Sequence, residues 1–344
     1  MHHTRFLINL LKTFSLVAVV LFEKSHAMSA LQNEDEPLHW TPTTTIDEAV
    51  ALHYGVPKDK VEGVVTLSKR VQDITDDDGI LTDPSTLLRF FDAREGSLDD
   101  AEKMLRDSHA WREDFNITKL MDEFGVTSSD GSWKWEPQSE RAKVASRHFY
   151  GIRLEETAKD GSPIILQRMG KADFNGIARE GMEDLMLNCF VVMLEDALRA
   201  GRRESLSRKQ LVRAAFVIDA KGIGTQVLRH MSIIKTFSSV GKTYFPEITR
   251  TVTIINAPWV FTGIWKMISP LLPRASRDKV QILGSSFHSS LEAHGNLEIK
   301  KFPSYLGGLG AVNICPTDPI PKDACKGLNA CRGGLSSDQV KVTA

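Results

Sequence analysis

The chain has 344 residues, 42% of them apolar and 25% charged, and a net charge of −1. This is the composition of a soluble globular protein of one large or two modest domains. It excludes collagen-like and low-complexity chains, and it gives no sign of a nucleic-acid partner. Charge is unevenly placed: residues 31–100 hold 6 Lys/Arg against 16 Asp/Glu, whereas residues 141–280 hold 23 against 13. A basic body suits an anionic ligand or a membrane surface, although ordinary solvated faces produce the same asymmetry.

At the N-terminus, Arg5 and Lys12 precede the apolar run Thr13–Phe22, and Ser25-His26-Ala27 has the form of a cleavage site. Residues 1–27 thus carry the three regions of a signal peptide. The run is short for a membrane anchor and is interrupted by Lys12, and a true start at Met28 is a further reading. Residues 31–45 are a polar lead-in, and residues 46–75 read as helices. Asp83-Pro84 pairs an N-cap with proline at the first helical position, predicting a helix through LLRFFDAR that stops at Gly96. Ser97 caps the next helix with Asp100 in a box-like role, and Leu98, Ala101, Leu105, Ser108 and Trp111/Arg112 line one face of it, with Met104 beside them. Residues 46–125 are therefore expected to form a helical module.

After a Gly/Ser loop at Ser128–Ser132 the pattern changes. Strand-like runs occur at Phe149–Leu154, Pro163–Arg168, Ala214–Asp219, Thr251–Asn256 and Lys279–Leu283, with Lys159-Asp160-Gly161-Ser162 as a hairpin turn between the first two. Helical stretches at Gly181–Ala200, Thr225–Thr243 and Trp259–Leu272 separate the others. The fold class is thus α/β, a mixed sheet with layered helices over residues 140–310, and residues 311–344 are a polar tail.

Several familiar motifs come close and miss. Gly222-Ile223-Gly224 follows a strand, but Val227 occupies the third glycine position of a dinucleotide loop, leaving a turn pair. Gly241-Lys242-Thr243 ends a helical run, where a phosphate loop would open one. Gly284-Ser285-Ser286 lies near His288, yet no Gly-x-Ser-x-Gly elbow exists in the chain. Cys189 sits in an apolar helical run as a core residue. Cys315, Cys325 and Cys331 contain no CxxC pair for zinc, and a labile disulfide among them stays open. No catalytic constellation stands out, which moves weight from enzyme to binding protein.

The order of features nevertheless resembles one family. Leu87–Arg94 followed by Ala101–Arg112 is similar to the N-terminal helical module of CRAL-TRIO lipid-binding proteins. The lipid-binding domain of that family is matched by Gly161–Ile165, Phe216–Gly222, Tyr244–Glu247, Ile255–Pro258, Trp265, Pro270, Lys279–Gly284 and Tyr305–Gly308. The resemblance spans about residues 60–310 and points to the phosphatidylinositol-transfer members. It implies a sheet floored by helices around a deep apolar pocket, with a movable helix as gate. The nearly all-apolar segment Pro258–Leu272, with Lys266 its only charge, maps to that gate, although a core helix of a large domain has the same pattern. Phe216, Trp259, Phe261, Ile264, Trp265 and Ile268 then line the gate and acyl-chain pocket.

By the same resemblance the lipid headgroup meets Arg94, Glu247, Ser276 and Lys279. The cations would hold phosphate oxygens, and Glu247 would accept from inositol hydroxyls; a plain ion pair is the competing reading of Glu247 and Lys279. Two departures stand out. Glu95 occupies a position that is basic in the family, where an inward-pointing acid would repel phosphate. Ala214 and Phe216 lack hydroxyls that help other members hold phosphatidylcholine. The expectation is a non-enzymatic carrier of one phospholipid, phosphatidylinositol first, with that lipid as ligand and no cofactor. It would be cytoplasmic and would meet membranes transiently, or would enter the secretory route if residues 1–27 are a leader. Its protein partners are not specified. The alternatives are a carrier of a tocopherol- or retinoid-like hydrophobe and a lipid-sensing adaptor.

Overall fold

In the computed structural model, the described residues are 40–310 apart from 42, 75–79, 126–136, 150 and 273. The leader-like segment and the cysteine-bearing tail lie outside them. From Thr41 onward the described residues belong to one unit. It opens with helices α1 (Glu48–His53), α2 (Val61–Arg70), α3 (Pro84–Ala93), α4 (Leu98–Asp114) and α5 (Ile117–Glu123). The two expected caps form. Asp83 Oδ1 accepts from the backbone N–H of Ser85 and Thr86, and the Ser97 hydroxyl donates to Asp100 Oδ2 at 2.7 Å while accepting from the Asp100 N–H. Of the face drawn from spacing on α4, Ala101, Met104, Leu105, Ser108 and Trp111 are buried, whereas Leu98 and Arg112 at its ends are half-buried.

Next come α6 (Glu140–Phe149), β1 (Gly151–Arg153), β2 (Ile164–Gln167), α7 (Phe174–Glu180) and α8 (Glu183–Arg208). They are followed by β3 (Ala214–Asp219), α9 (Met231–Tyr244), β4 (Thr249–Ile255) and α10 (Phe261–Ile268). The short α11 (Arg274–Arg277), β5 (Val280–Ile282) and α12 (His288–Gly295) complete the order. The first expected strand is corrected at its start, because Phe149 is the last residue of α6. The β1–β2 hairpin closes through Gly161 at φ +85°, a left-handed turn position that glycine takes without strain. Gly222 takes φ +98° after β3, and Gly241-Lys242-Thr243 lies in the last turns of α9.

β1 pairs antiparallel with β2, whereas β2 to β5 run parallel and in chain order. Right-handed crossovers stepping always the same way must leave their helices on one face of the sheet. The side chains agree. Ile165, Ala214 and Phe216 pack with α8 and α9, while Ile218 and Ile254 meet α10 on the same face. The other face, with Ile164, Leu166, Ala215, Val217 and Ile255, is sealed by Phe287, Leu291, Leu297, Phe302 and Leu306.

The helical module docks on this layer through α4. The Trp111 ring stacks on Tyr244 at 4.2 Å, and the Ser108 hydroxyl donates to the Tyr244 carbonyl at 3.1 Å. Arg112 donates to both carboxylate oxygens of the fully buried Glu195 at 2.7 Å, and Arg202 Nε donates to Asp83 at 2.9 Å. Buried carboxylates paired this closely fix one arrangement, because neither can lose its partner cheaply.

Candidate functional site

Each of three neighbouring parallel strands begins beside a charged residue. Arg213 directly precedes β3, Glu247 lies two residues before β4, and Lys279 directly precedes β5. Pairing of Ala214 with Thr249 and of Val252 with Val280 brings all three to the amino edge of the sheet. Lys279 Nζ donates to Glu247 Oε2 at 3.1 Å, and Arg213 Nε donates to the Glu247 carbonyl oxygen at 3.1 Å. Arg213 Nη2 also lies 3.7 Å from Asp92 Oδ2, whose other oxygen accepts from Lys60 Nζ at 2.7 Å. A line of alternating charge thus runs from the helical module to β5, and all of its members are half-buried.

Glu247 is held in an uncommon backbone state, φ +52°. Such a conformation in a non-glycine residue persists only when its surroundings over-determine it. Here Tyr244 is clamped by Trp111, and Phe245, 4% exposed, meets the same indole edge-on at 5.9 Å. Ile248 O accepts from Ala214 N at 2.8 Å on the far side of the turn.

Of the residues expected to meet a headgroup, the structure joins Glu247 and Lys279 directly. Arg94 caps the C-terminus of α3, exposed, two residues beyond the Asp92 that reaches Arg213. Glu95 is also exposed, at φ +52°. Ser276 is exposed on α11, and its carbonyl accepts from Lys279 N at 3.3 Å. Arg213, Asp92 and Lys60 escaped the sequence reading. The available signal was a basic residue abutting a strand, which acquires meaning only once Glu247 is beside it.

The gate segment is amphipathic, not buried all round. Phe261 and Ile264 are 5% and 1% exposed against Ile254, whereas Thr262, Lys266 and Met267 face outward. Trp265 is partly buried on the same cluster, and Ile268 ends the helix. Trp259 precedes the helix in a turn and is 90% exposed. Beneath α10 the sheet is incompletely covered: Ile218, Val252 and Val280 are half-buried and Ile282 is exposed. Phe216, 7% exposed, sits one strand in from Val252 and packs toward α8. Between β2 and α7–α9 lies an apolar cavity of about 30 Å³, lined by Phe149, Gln167, Met186 and Phe237 among others. It has room for about one water. Phe190 and Phe237, stacked at 4.3 Å, and Phe149 close the surrounding space. Among the described residues no helix is long and apolar enough to cross a membrane.

Residues 150–308 match the CRAL/TRIO domain, and the described part of that region has a mixed α/β fold. Among similar proteins, the Sec14 cytosolic factor of Schizosaccharomyces pombe is 29% identical over 230 residues, covering 66% of this chain and 74% of that protein. The SEC14 cytosolic factor of Kluyveromyces lactis is 26% identical over 235 residues, covering 67% and 72%. Protein real-time of Anopheles gambiae is 26% identical over 270 residues; this chain covers 36% of its length, about a third. The crystal structure of Sfh5 aligns with a TM-score of 0.49 at 15% identity, over 80% of this chain and 96% of that one, a likeness too loose to bear on function.

Proposed function

We propose that this protein binds one phospholipid, phosphatidylinositol first, and carries or presents it between membranes. The observation behind this reading is the arrangement along β4. A charged cluster sits at the amino end of the strand, half-buried apolar floor residues follow, and α10 lies over them. Seven residues of strand span roughly 20 Å, which separates a polar headgroup from an apolar region for tails. Burial of acyl chains there offsets their removal from a bilayer, at about 0.8 kcal/mol per CH2. Because Phe261 and Ile264 pack down on Ile254, lipid entry over the floor requires α10 to move away from it. The exposed Trp259 ring, beside the start of that helix, suits the boundary between headgroups and chains.

In this reading Lys279 and Arg94 bind phosphate oxygens, Glu247 accepts from inositol hydroxyls, and Ser276 adds a hydroxyl. The protein breaks no bond and needs no cofactor. It works at the cytoplasmic face of membranes, as befits the relatives named cytosolic factors. Ala214 and Phe216 supply no hydroxyl, so phosphatidylcholine is held poorly. A second reading, a carrier of another hydrophobe with one polar end, draws on the buried Gln167 and His148 in the cavity wall. Transfer of labelled phosphatidylinositol between vesicles tests the first reading. Transfer well above the protein-free rate supports it, and a rate equal to the protein-free control overturns it.

A further inference from the structure

We infer that Arg213 is a further phosphate-binding cation of the headgroup site, doing from the start of β3 what Glu95 cannot do from the end of α3. The inference rests on the phospholipid reading above and adds to it a specificity-determining residue. It starts from a contrast with three arginines that tie elements of the fold together. Arg112 takes Glu195 in a two-pronged grip at 2.7 Å, Arg202 reaches Asp83 at 2.9 Å, and Arg153 reaches Asp196 at 3.0 Å. Each is committed to a carboxylate at hydrogen-bond distance, as a structural arginine should be.

Arg213 is placed differently. Its one short contact is Nε on a neutral carbonyl, that of Glu247, at 3.1 Å. Its carboxylate neighbours stand off, Glu247 Oε2 at 3.5 Å from Nε and Asp92 Oδ2 at 3.7 Å from Nη2. Those distances keep the guanidinium oriented and partly neutralised, but they are longer than good hydrogen bonds. A guanidinium has five N–H donors in a planar fork, so Arg213 keeps donors for a further acceptor. Its side chain is 28% exposed, within reach of a ligand entering from solvent.

Charge supports the same ligand. Lys60, Arg213 and Lys279 share the carboxylates of Asp92 and Glu247, so the line of charge carries one surplus positive charge. A phosphate oxyanion supplies that missing charge and matches the fork in two-pronged fashion, which a hydroxyl does not. Lys279 then adds its charge to the same phosphate, and Glu247 remains for the sugar hydroxyls. Arg94, exposed two residues beyond Asp92, is a further cation for the same phosphate.

The test uses the full chain, vesicles of phosphatidylcholine carrying labelled phosphatidylinositol, and free inositol 1-phosphate as competitor. Wild type should load phosphatidylinositol. Arg213→Gln should lower its affinity by about tenfold or more, the worth of one hydrogen bond to a charged group. Lys103→Gln, at an exposed lysine on α4 outside the site, should change it by about twofold or less. Any loading of a neutral fluorescent sterol should be the same in all three proteins, and a loss confined to Arg213→Gln would overturn the inference. Equal phosphatidylinositol loading by wild type and Arg213→Gln overturns the inference while leaving the phospholipid reading intact. No loading by wild type overturns the phospholipid reading and this inference with it. Full competition by inositol 1-phosphate at concentrations matching the lipid would make a free phosphate ester, not a lipid, the ligand. If Arg213→Gln fails to fold, Arg213→Lys keeps the charge but loses the fork. A folded Arg213→Lys protein should still lose severalfold in affinity, and one that loads as well as wild type counts against the fork.

Discussion

Arg112 on α4 grips Glu195 on α8 through both Nη atoms, each 2.7 Å from a carboxylate oxygen that no water reaches. Arg199, one turn along α8, holds the same carboxylate at 2.8 Å. Burial alone would raise the Glu195 pKa, but the two guanidinium groups override it and hold the carboxyl down to about 2. The helical module is therefore tied to the sheet layer by a charge that cannot be left alone. Arg112→Met should destabilise the protein by about 3 kcal/mol or more, because one cation then faces the buried carboxylate. Urea denaturation at neutral pH checks it, and a change under about 1 kcal/mol would contradict the clamp.

The same helix predicts a pH signature from two neighbouring acids with opposite shifts. Glu195 is depressed from its ordinary value, so its contribution is present above about pH 4.5 and is lost as pH falls toward 2. Asp196 is pushed up to about 6 by burial, partly countered by Arg153. Its folded form keeps a proton that the unfolded chain has released, so its contribution is present below about pH 4 and is lost as pH rises through 6. The stability of wild type relative to Asp196→Asn should thus be greatest near pH 4 and should decline toward pH 7. A difference that is flat from pH 4 to 7 would show that Asp196 titrates normally.

Trp259 and Ala257 should separate in their effects. Trp259 is 90% exposed, so Trp259→Glu should leave thermal stability within about 0.5 kcal/mol of wild type. It should slow vesicle-to-vesicle transfer severalfold by putting a charge where the gate meets lipid. Ala257 is partly buried against the cluster under α10, so Ala257→Asp should lower stability as well as transfer. Unchanged transfer by a folded Trp259→Glu protein would remove that residue from the gate.

Gly308 marks a close approach behind the sheet. A Cβ on it would overlap the carbonyl oxygens of Phe302 and Ile299, which are backbone atoms with little freedom to move. Gly308→Ala should cost about 3 kcal/mol or more, read as a lowered denaturation midpoint. Wild-type stability would mean that the chain around Phe302 yields easily.

Much of the fold was legible in local signals. Asp83-Pro84 and Ser97 start α3 and α4 through caps that need only adjacent residues, and AAFVID is β3 as read. What stayed hidden depends on distant partners. α8 runs to Arg208, beyond the expected end at Ala200, and its buried Glu195 and Asp196 are matched by Arg112 and Arg153, 83 and 43 residues away. α5, α6, α7 and α12 have caps or amphipathic patterns too short or too mixed to stand out from the loops around them. Glu247 and Lys279 were reached by resemblance, whereas Arg213 gains meaning only when three parallel strands place their first residues side by side.

The most direct measurement of the central claim is native mass spectrometry with lipid extraction on the full chain purified from eukaryotic cells. The phospholipid reading predicts phosphatidylinositol at near one molecule per chain, little phosphatidylcholine, and depletion of the bound lipid in Lys279→Ala. Recovery of a neutral hydrophobe, or of mixed lipid at low occupancy that Lys279→Ala leaves unchanged, would contradict it.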